Sequence, residues 1–126
     1  MEFVTAGESH GPALTAIVTG TPAGVSIDID AINHDLARRQ GGYGRGGRQK
    51  IEHDTASIRS GVRFSKTLGT PITLQVMNDD FANWTDRMAV DGDAPADLKR
   101  ETCPRPGHAD LTGLLKFGQT DARNIL

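Results

Sequence analysis

Glycine and proline cut this chain into short pieces, so its fold must be assembled from brief strands and helices joined by tight turns. Together they supply 15 and 6 of the 126 residues. β-prone Phe3-Val4-Thr5 runs into a turn between Gly7 and Pro12, and the apolar run Leu14-Thr15-Ala16-Ile17-Val18-Thr19 is closed by Gly20-Thr21-Pro22-Ala23-Gly24. Two strands flanking a turn are expected there. Val25-Ser26-Ile27-Asp28-Ile29 alternates as a strand does. Asp30 can then cap a helix that carries Ile32, Leu36 and Ala37 and ends in Arg38-Arg39-Gln40, where Gly41 and Gly42 stop it. Residues 56–62 and 70–77 read as further strands, joined through Ser65-Lys66-Thr67-Leu68-Gly69. Asp110 can cap a helix through Leu111, Leu114, Leu115 and Phe117 that Gly118 ends, and Asp121 can open another that is still running at Leu126.

Composition fits one ordinary domain. A hydrophobic fraction of 37% supports a single core, and 24% charged residues argue against a membrane or disordered class. The start Met1-Glu2-Phe3-Val4-Thr5 lacks the features of a signal peptide, and no apolar stretch approaches the roughly 20 residues of a spanning helix; a cytoplasmic protein without membrane contact is expected. Cys103 is the only cysteine. That rules out an internal disulfide or a cysteine zinc site, and a small buried hydrophobe is the expected role.

The net charge of -2 is unevenly spread. Arg38, Arg39, Arg45, Arg48 and Lys50 fall together with no acid among them, an anion-attracting patch. From Asp79 to Glu101 the balance reverses, and that acidic segment reads as a solvated excursion. Nucleic-acid binding calls for a wider basic face with aromatics to stack on bases, whereas only Tyr43 lies near the patch. A small phosphorylated ligand fits better.

Three elements carry candidate chemistry. In Gly7-Glu8-Ser9-His10-Gly11 the glycines allow close approach of a ligand, Ser9 can donate to a phosphate oxygen, and His10 can protonate a departing oxyanion near neutral pH. A plain turn with a surface histidine explains the same residues. The stretch from Gly41 to Gly47 has five glycines in seven residues, is expected to stay mobile until a ligand orders it, and brings Arg45 and Arg48 within reach of Arg39 for bidentate phosphate contacts. It lacks the Gly-Lys-Ser/Thr of a Walker loop, and a solvated basic loop is the alternative. In Arg105-Pro106-Gly107-His108-Ala109-Asp110, a turn precedes a helix whose backbone donors can meet an anion. Arg38 is as well explained by capping its helix as by ligand binding. His34 and His53 read as surface or structural residues, and no histidine pair has metal-ligand spacing, so no metal is expected.

In this order, these elements resemble the signature segments of the chorismate synthase family, as do the intervening Ser60-Gly61-Val62 and Gly69-Thr70-Pro71-Ile72. The resemblance covers the whole chain. It implies an α+β fold, a layered β-α-β sandwich of antiparallel sheets and helices, with residues 1–126 as the N-terminal part of a single domain that continues past Leu126 in a homotetramer. It implies a lyase of the shikimate pathway that converts 5-enolpyruvylshikimate 3-phosphate to chorismate by 1,4-elimination of phosphate and a ring proton. Reduced FMN is the implied cofactor, used without net oxidation, with NAD(P)H as its reductant in part of the family. On that pattern His10 protonates the leaving phosphate and His108 sits near the flavin and helps set its protonation, while Ser9, Arg39, Arg45, Arg48 and Arg105 hold anionic groups. The alternative is a phosphate- or flavin-binding module without catalysis.

Overall fold

The computed structural model describes residues 1–41 and 53–125; Arg45, Arg48 and most of the glycine loop lie outside them. The strands β1 (Glu2–Gly7) and β2 (Ala13–Thr19) form the expected hairpin, with Glu2 opposite Thr19 and Gly7 opposite Leu14. β2 pairs next with β6 (Ile72–Met77), and β6 with β3 (Ala56–Ser60), all antiparallel, giving the order β1-β2-β6-β3. The two most apolar segments thus occupy the middle of the sheet, where both edges of a strand are paired.

Alternation divides the sheet into two faces, because directly opposed residues point the same way. Leu14, Ala16 and Val18 of β2 oppose Val76, Leu74 and Ile72 of β6, and Ala56 and Ile58 of β3 oppose Val76 and Leu74. The other face carries Thr15, Gln75, Thr73 and Ser57. Helix α1 (Ile29–Gln40) lies over the apolar face, where half-buried Ile32 and Leu36 border a crevice of about 480 Å³ with Leu14, Ala16, Leu74 and Val76. Half-burial of each contributes roughly 1 kcal/mol, about half the value for a fully buried aliphatic side chain. The described core is thin: its buried apolar residues are Ala56, Ile72 and Ala122, while Phe3 is 77% exposed and Leu115 76%. Among the described residues no helix is long and apolar enough to cross a membrane.

Two expectations for the local structure fail for physical reasons. Residues 25–29 do not form a strand; Ser26 makes one isolated bridge to Lys66, and the helix is capped by Asp28, whose Oδ1 accepts from the backbone N–H groups of Asp30 and Ala31 at 3.0 Å each. A carboxylate that captures the next amides pulls the chain into a helix before a strand can extend. Residues 56–62 do not run as one strand either. The chain turns at Gly61, and β4 (Val62–Arg63) folds back on β5 (Lys66–Thr67) through Phe64 and Ser65, both at positive φ. Further on, α2 (Asp110–Phe117) ends as expected at Gly118, which adopts the left-handed conformation, and a 3₁₀ turn (Ala122–Ile125) packs Ile125 against Gly113 of α2. Antiparallel strands with segregated helices make the fold α+β, as expected.

Gly61 tests this arrangement. Its φ is +78°, and a Cβ there would sit 2.6 Å from the Pro71 carbonyl oxygen and 2.8 Å from Ile72 Cα. Gly61→Ala is expected to destabilise the fold by about 1–3 kcal/mol. Urea denaturation measures this, and an unchanged midpoint would show that the turn is not tightly packed.

Candidate functional site

His10 sits in the β1–β2 turn, which is tied to the end of β6. The Gly11 N–H donates to the Glu8 carbonyl at 3.1 Å and closes the turn; beyond β6, Asn78 donates its backbone N–H to the Pro12 carbonyl at 3.0 Å and its side-chain amide to the Gly11 carbonyl at 2.7 Å. Asn78 Oδ1 also accepts from the Asp80 N–H at 3.1 Å, starting a 3₁₀ turn (Asp79–Asn83) that delivers Trp84. The result is a buried imidazole, 9% exposed, with its ring centroid 4.2 Å from a Trp84 ring at 72° and its Nδ1 2.9 Å from Ser9 Oγ. The surface-histidine reading of this turn does not hold.

The second histidine turn is organised by a buried carboxylate. Asp110, 1% exposed, does not cap α2 as expected. Instead its Oδ2 accepts from the Arg105 backbone N–H at 3.0 Å and from Arg105 Nε at 2.9 Å, and its Oδ1 accepts from Arg105 Nη2 at 3.0 Å. His108 Nδ1 lies 2.6 Å from the same Oδ1, and because an ionised carboxylate only accepts, Nδ1 is the donor. A buried charge is tolerable only when paired and fully hydrogen-bonded, and the two-pronged guanidinium meets that need. The Arg105 side chain first, then its backbone N–H and His108, hold the Asp110 carboxyl well below the usual carboxylate range against the opposing effect of burial. In return the Asp110 hydrogen bond raises Arg105.

A third element was missed in the sequence. Asp121 accepts from Arg123 Nε at 3.0 Å, pairs with Arg123 Nη2, and takes the N–H groups of Arg123 and Glu101 at 3.1 and 3.3 Å. The Arg123 side chain is the largest cause lowering the Asp121 carboxyl from 3.8 to about 2. Arg123 Nη1 is buried without a hydrogen-bond partner among the described residues. The signal available in the sequence was the Asp-x-Arg spacing just after a helix-ending glycine.

These three elements enclose one cleft of about 580 Å³, lined by His10, Trp84, Arg105, Asp110 and Arg123 among others. Ser9 and His108 do not line it; they reach it through His10 and Asp110. The acidic segment is largely exposed, as expected, but it also borders the cleft, with Asp86, Arg87, Asp97, Lys99 and Glu101 forming part of the wall. Cys103 is exposed on the same wall rather than buried as expected. Arg39 stands apart at the end of α1 in an ion pair with Asp54 at 3.0 Å, and Arg38 pairs with Asp35 on the exposed face of its own helix at 3.1 Å. His34 and His53 are exposed, as expected.

A buried imidazole and fixed guanidinium groups on one cleft can, chemically, hold an anion and pass it a proton. The chorismate synthase family model matches residues 1–125, and the chain belongs to that family. It is 63% identical over 127 residues to a chorismate synthase of Sulfurihydrogenibium sp. (strain YO3AOP1) and 57% identical over 126 residues to that of Aquifex aeolicus (strain VF5), each comparison covering 100% of this chain and 32% of the relative. A crystal structure of chorismate synthase matches with a TM-score of 0.66 at 42% identity, covering 99% of this chain and 27% of the other. The chain thus spans about a third of the length of the curated relatives it matches.

The depressed carboxyls predict how the fold responds to acid. A carboxyl whose value is lower in the folded than in the unfolded chain adds stability above its unfolded value near 4, and that stability is lost as pH falls through the folded value. Asp121 places this loss between about pH 4 and about 2, with Asp110 acting in the same direction. In thermal unfolding scans from pH 5 to 2, Asp121→Asn is expected to flatten the acid loss while lowering stability at pH 7. An unaltered acid slope would show that the Arg123 pair does not hold the carboxyl ionised.

Proposed function

We propose that this chain carries the proton-donating and anion-binding part of a chorismate synthase. That enzyme is a carbon–oxygen lyase, which removes phosphate and a ring proton from 5-enolpyruvylshikimate 3-phosphate by 1,4-elimination. The observation that carries the reading is the placement of buried His10 on the same cleft as Arg105 and Arg123. Ser9 Oγ and Nδ1 share a hydrogen bond; in the protonated imidazole both nitrogens are donors, so Nδ1–H donates to the Ser9 oxygen and Nε2–H is left to donate to the phosphate oxygen as the C–O bond breaks. The cleft wall mixes Arg87, Lys99, Arg105 and Arg123 with Asp86, Asp97, Glu101 and Asp110. Aimed donors, more than net charge, must therefore stabilise the growing negative charge. Arg105 spends Nε and Nη2 on Asp110, which fixes the plane in which its Nη1 edge is offered.

Reduced FMN, when bound, supplies electron density that side chains lack. The buried, unpartnered Arg123 Nη1 fits an anionic group in this cleft, whether of substrate or cofactor. On the same reading Arg39, Arg45, Arg48 and Arg105 hold anions, Ser9 acts through His10, and His108, fixed by Asp110, works near the flavin. The sequence resemblance supports a cytoplasmic homotetramer for the complete enzyme.

In the complete protein His10→Ala is expected to lower turnover about 100- to 10,000-fold with flavin affinity nearly unchanged, the scale of losing a positioned proton donor. Anaerobic assay with reduced flavin decides this, and wild-type turnover would remove His10 from the chemistry. The 126-residue chain by itself is expected to release no phosphate above background, because positioning is worth up to roughly 7–11 kcal/mol and the chain spans 32% of its relatives' length. Turnover at the rate of a complete enzyme would show that this segment is catalytically sufficient.

A further inference from the structure

Trp84 is the single tryptophan of the chain, and no part of the reaction uses it. It nevertheless closes a ring of contacts with His10. The Asn78 amide donates to the carbonyl of Gly11, the residue after His10, at 2.7 Å; Asn78 Oδ1 accepts from the Asp80 N–H at 3.1 Å; Asp80 Oδ2 accepts from the indole Nε1 at 3.0 Å; and the Trp84 ring meets the imidazole at 4.2 Å. Asp80 Oδ1 also accepts from Asn83 Nδ2 at 2.8 Å, so the anchor of the indole is held at both oxygens.

Two torsions orient an imidazole on its backbone. The Ser9 hydroxyl restrains one nitrogen, but Ser9 belongs to the same turn and moves with it. The indole belongs to the segment that follows β6, and its approach to the imidazole at 72° is the edge-to-face geometry that aromatic pairs prefer. We propose that Trp84 is a positioning residue for His10, anchored by Asp80 and holding the imidazole in the orientation from which it gives up its proton. This rests on the reading of His10 as proton donor. Asp86, Arg87, Arg105, Asp110 and Arg123 share the cleft with the pair; the contact itself is made by rings.

A lone tryptophan makes the contact directly measurable, because an imidazole in ring contact perturbs the emission of the indole it touches. The emission spectrum and lifetime of Trp84 are expected to change in His10→Gln at constant pH. Spectra and lifetimes of wild type and His10→Gln that superimpose overturn the contact. In the complete protein Trp84→Leu is expected to lower kcat about 10- to 100-fold with KM changed less than about threefold, the cost of a slightly misplaced group. Trp84→Phe, which keeps a ring, is expected to recover to within about fivefold of wild type, and Asp80→Ala to fall between. If Trp84→Leu does not fold, the Phe and Asp80 variants decide: wild-type kcat in Asp80→Ala, or a Phe variant as impaired as His10→Ala, overturns the positioning role. Full turnover of His10→Ala beside the expected emission change would leave the packing intact but remove the proton-donor reading, and the positioning role with it.

Discussion

The pairing of β2 with β6 is the constraint on which the site depends. Residues more than fifty positions apart in sequence are locked with Ala13 opposite Met77 and Val18 opposite Ile72. A slip of one residue would turn the apolar set of β6 to the face that carries Thr15 and Ile17, so burial against α1 enforces the register. That register sets Asn78 beside the turn that follows β1. Its two hydrogen bonds to Pro12 and Gly11 then bring the segment leading to Trp84 against His10. The histidine is buried because two distant strands are in register, not because of anything in its own pentapeptide.

The second turn depends on a different balance. Asp110 is almost wholly removed from water, which would be costly for an isolated carboxylate. Arg105 removes that cost with three hydrogen bonds and in doing so is fixed at the cleft, while His108 takes the remaining side of the carboxylate. The Asp121–Arg123 pair repeats the device with one donor left over. Both pairs sit close to the short 3₁₀ and α2 elements, whose apolar residues are largely exposed; Leu115 and Phe117 are 76% and 61% exposed. Paired charges, more than apolar burial, organise this end of the described chain.

What could be read from residues alone follows from which forces were local. β2 and β6 announce themselves by continuous apolar runs between turn residues, and α1 and α2 by apolar spacing with glycine at the end. Several failures involve side chains that spend their hydrogen bonds in ways the pattern does not show. Asp28, which an alternating pattern assigned to a strand, takes the N–H groups of Asp30 and Ala31 and caps the helix in place of Asp30, and Asp110, a plausible cap by position, is spent on Arg105 five residues back. The acidic stretch from Asp79 to Glu101 is largely exposed, as its composition indicates, but composition says nothing of Trp84 and its Asp80 anchor. Of the expected site residues, His10 and Arg105 meet on one cleft, Ser9 and His108 support it from behind, and Arg39 is engaged with Asp54.

In the proposed function both histidine turns serve one anion site. The most direct measurement is a crystal structure of the complete protein, grown without oxygen in the presence of 5-enolpyruvylshikimate 3-phosphate and reduced FMN. The substrate phosphate is expected within hydrogen-bonding distance, about 3.2 Å or less, of His10 and in contact with a guanidinium of this cleft. A phosphate bound away from His10, with the cleft between Trp84 and Arg105 filled by protein, would contradict it.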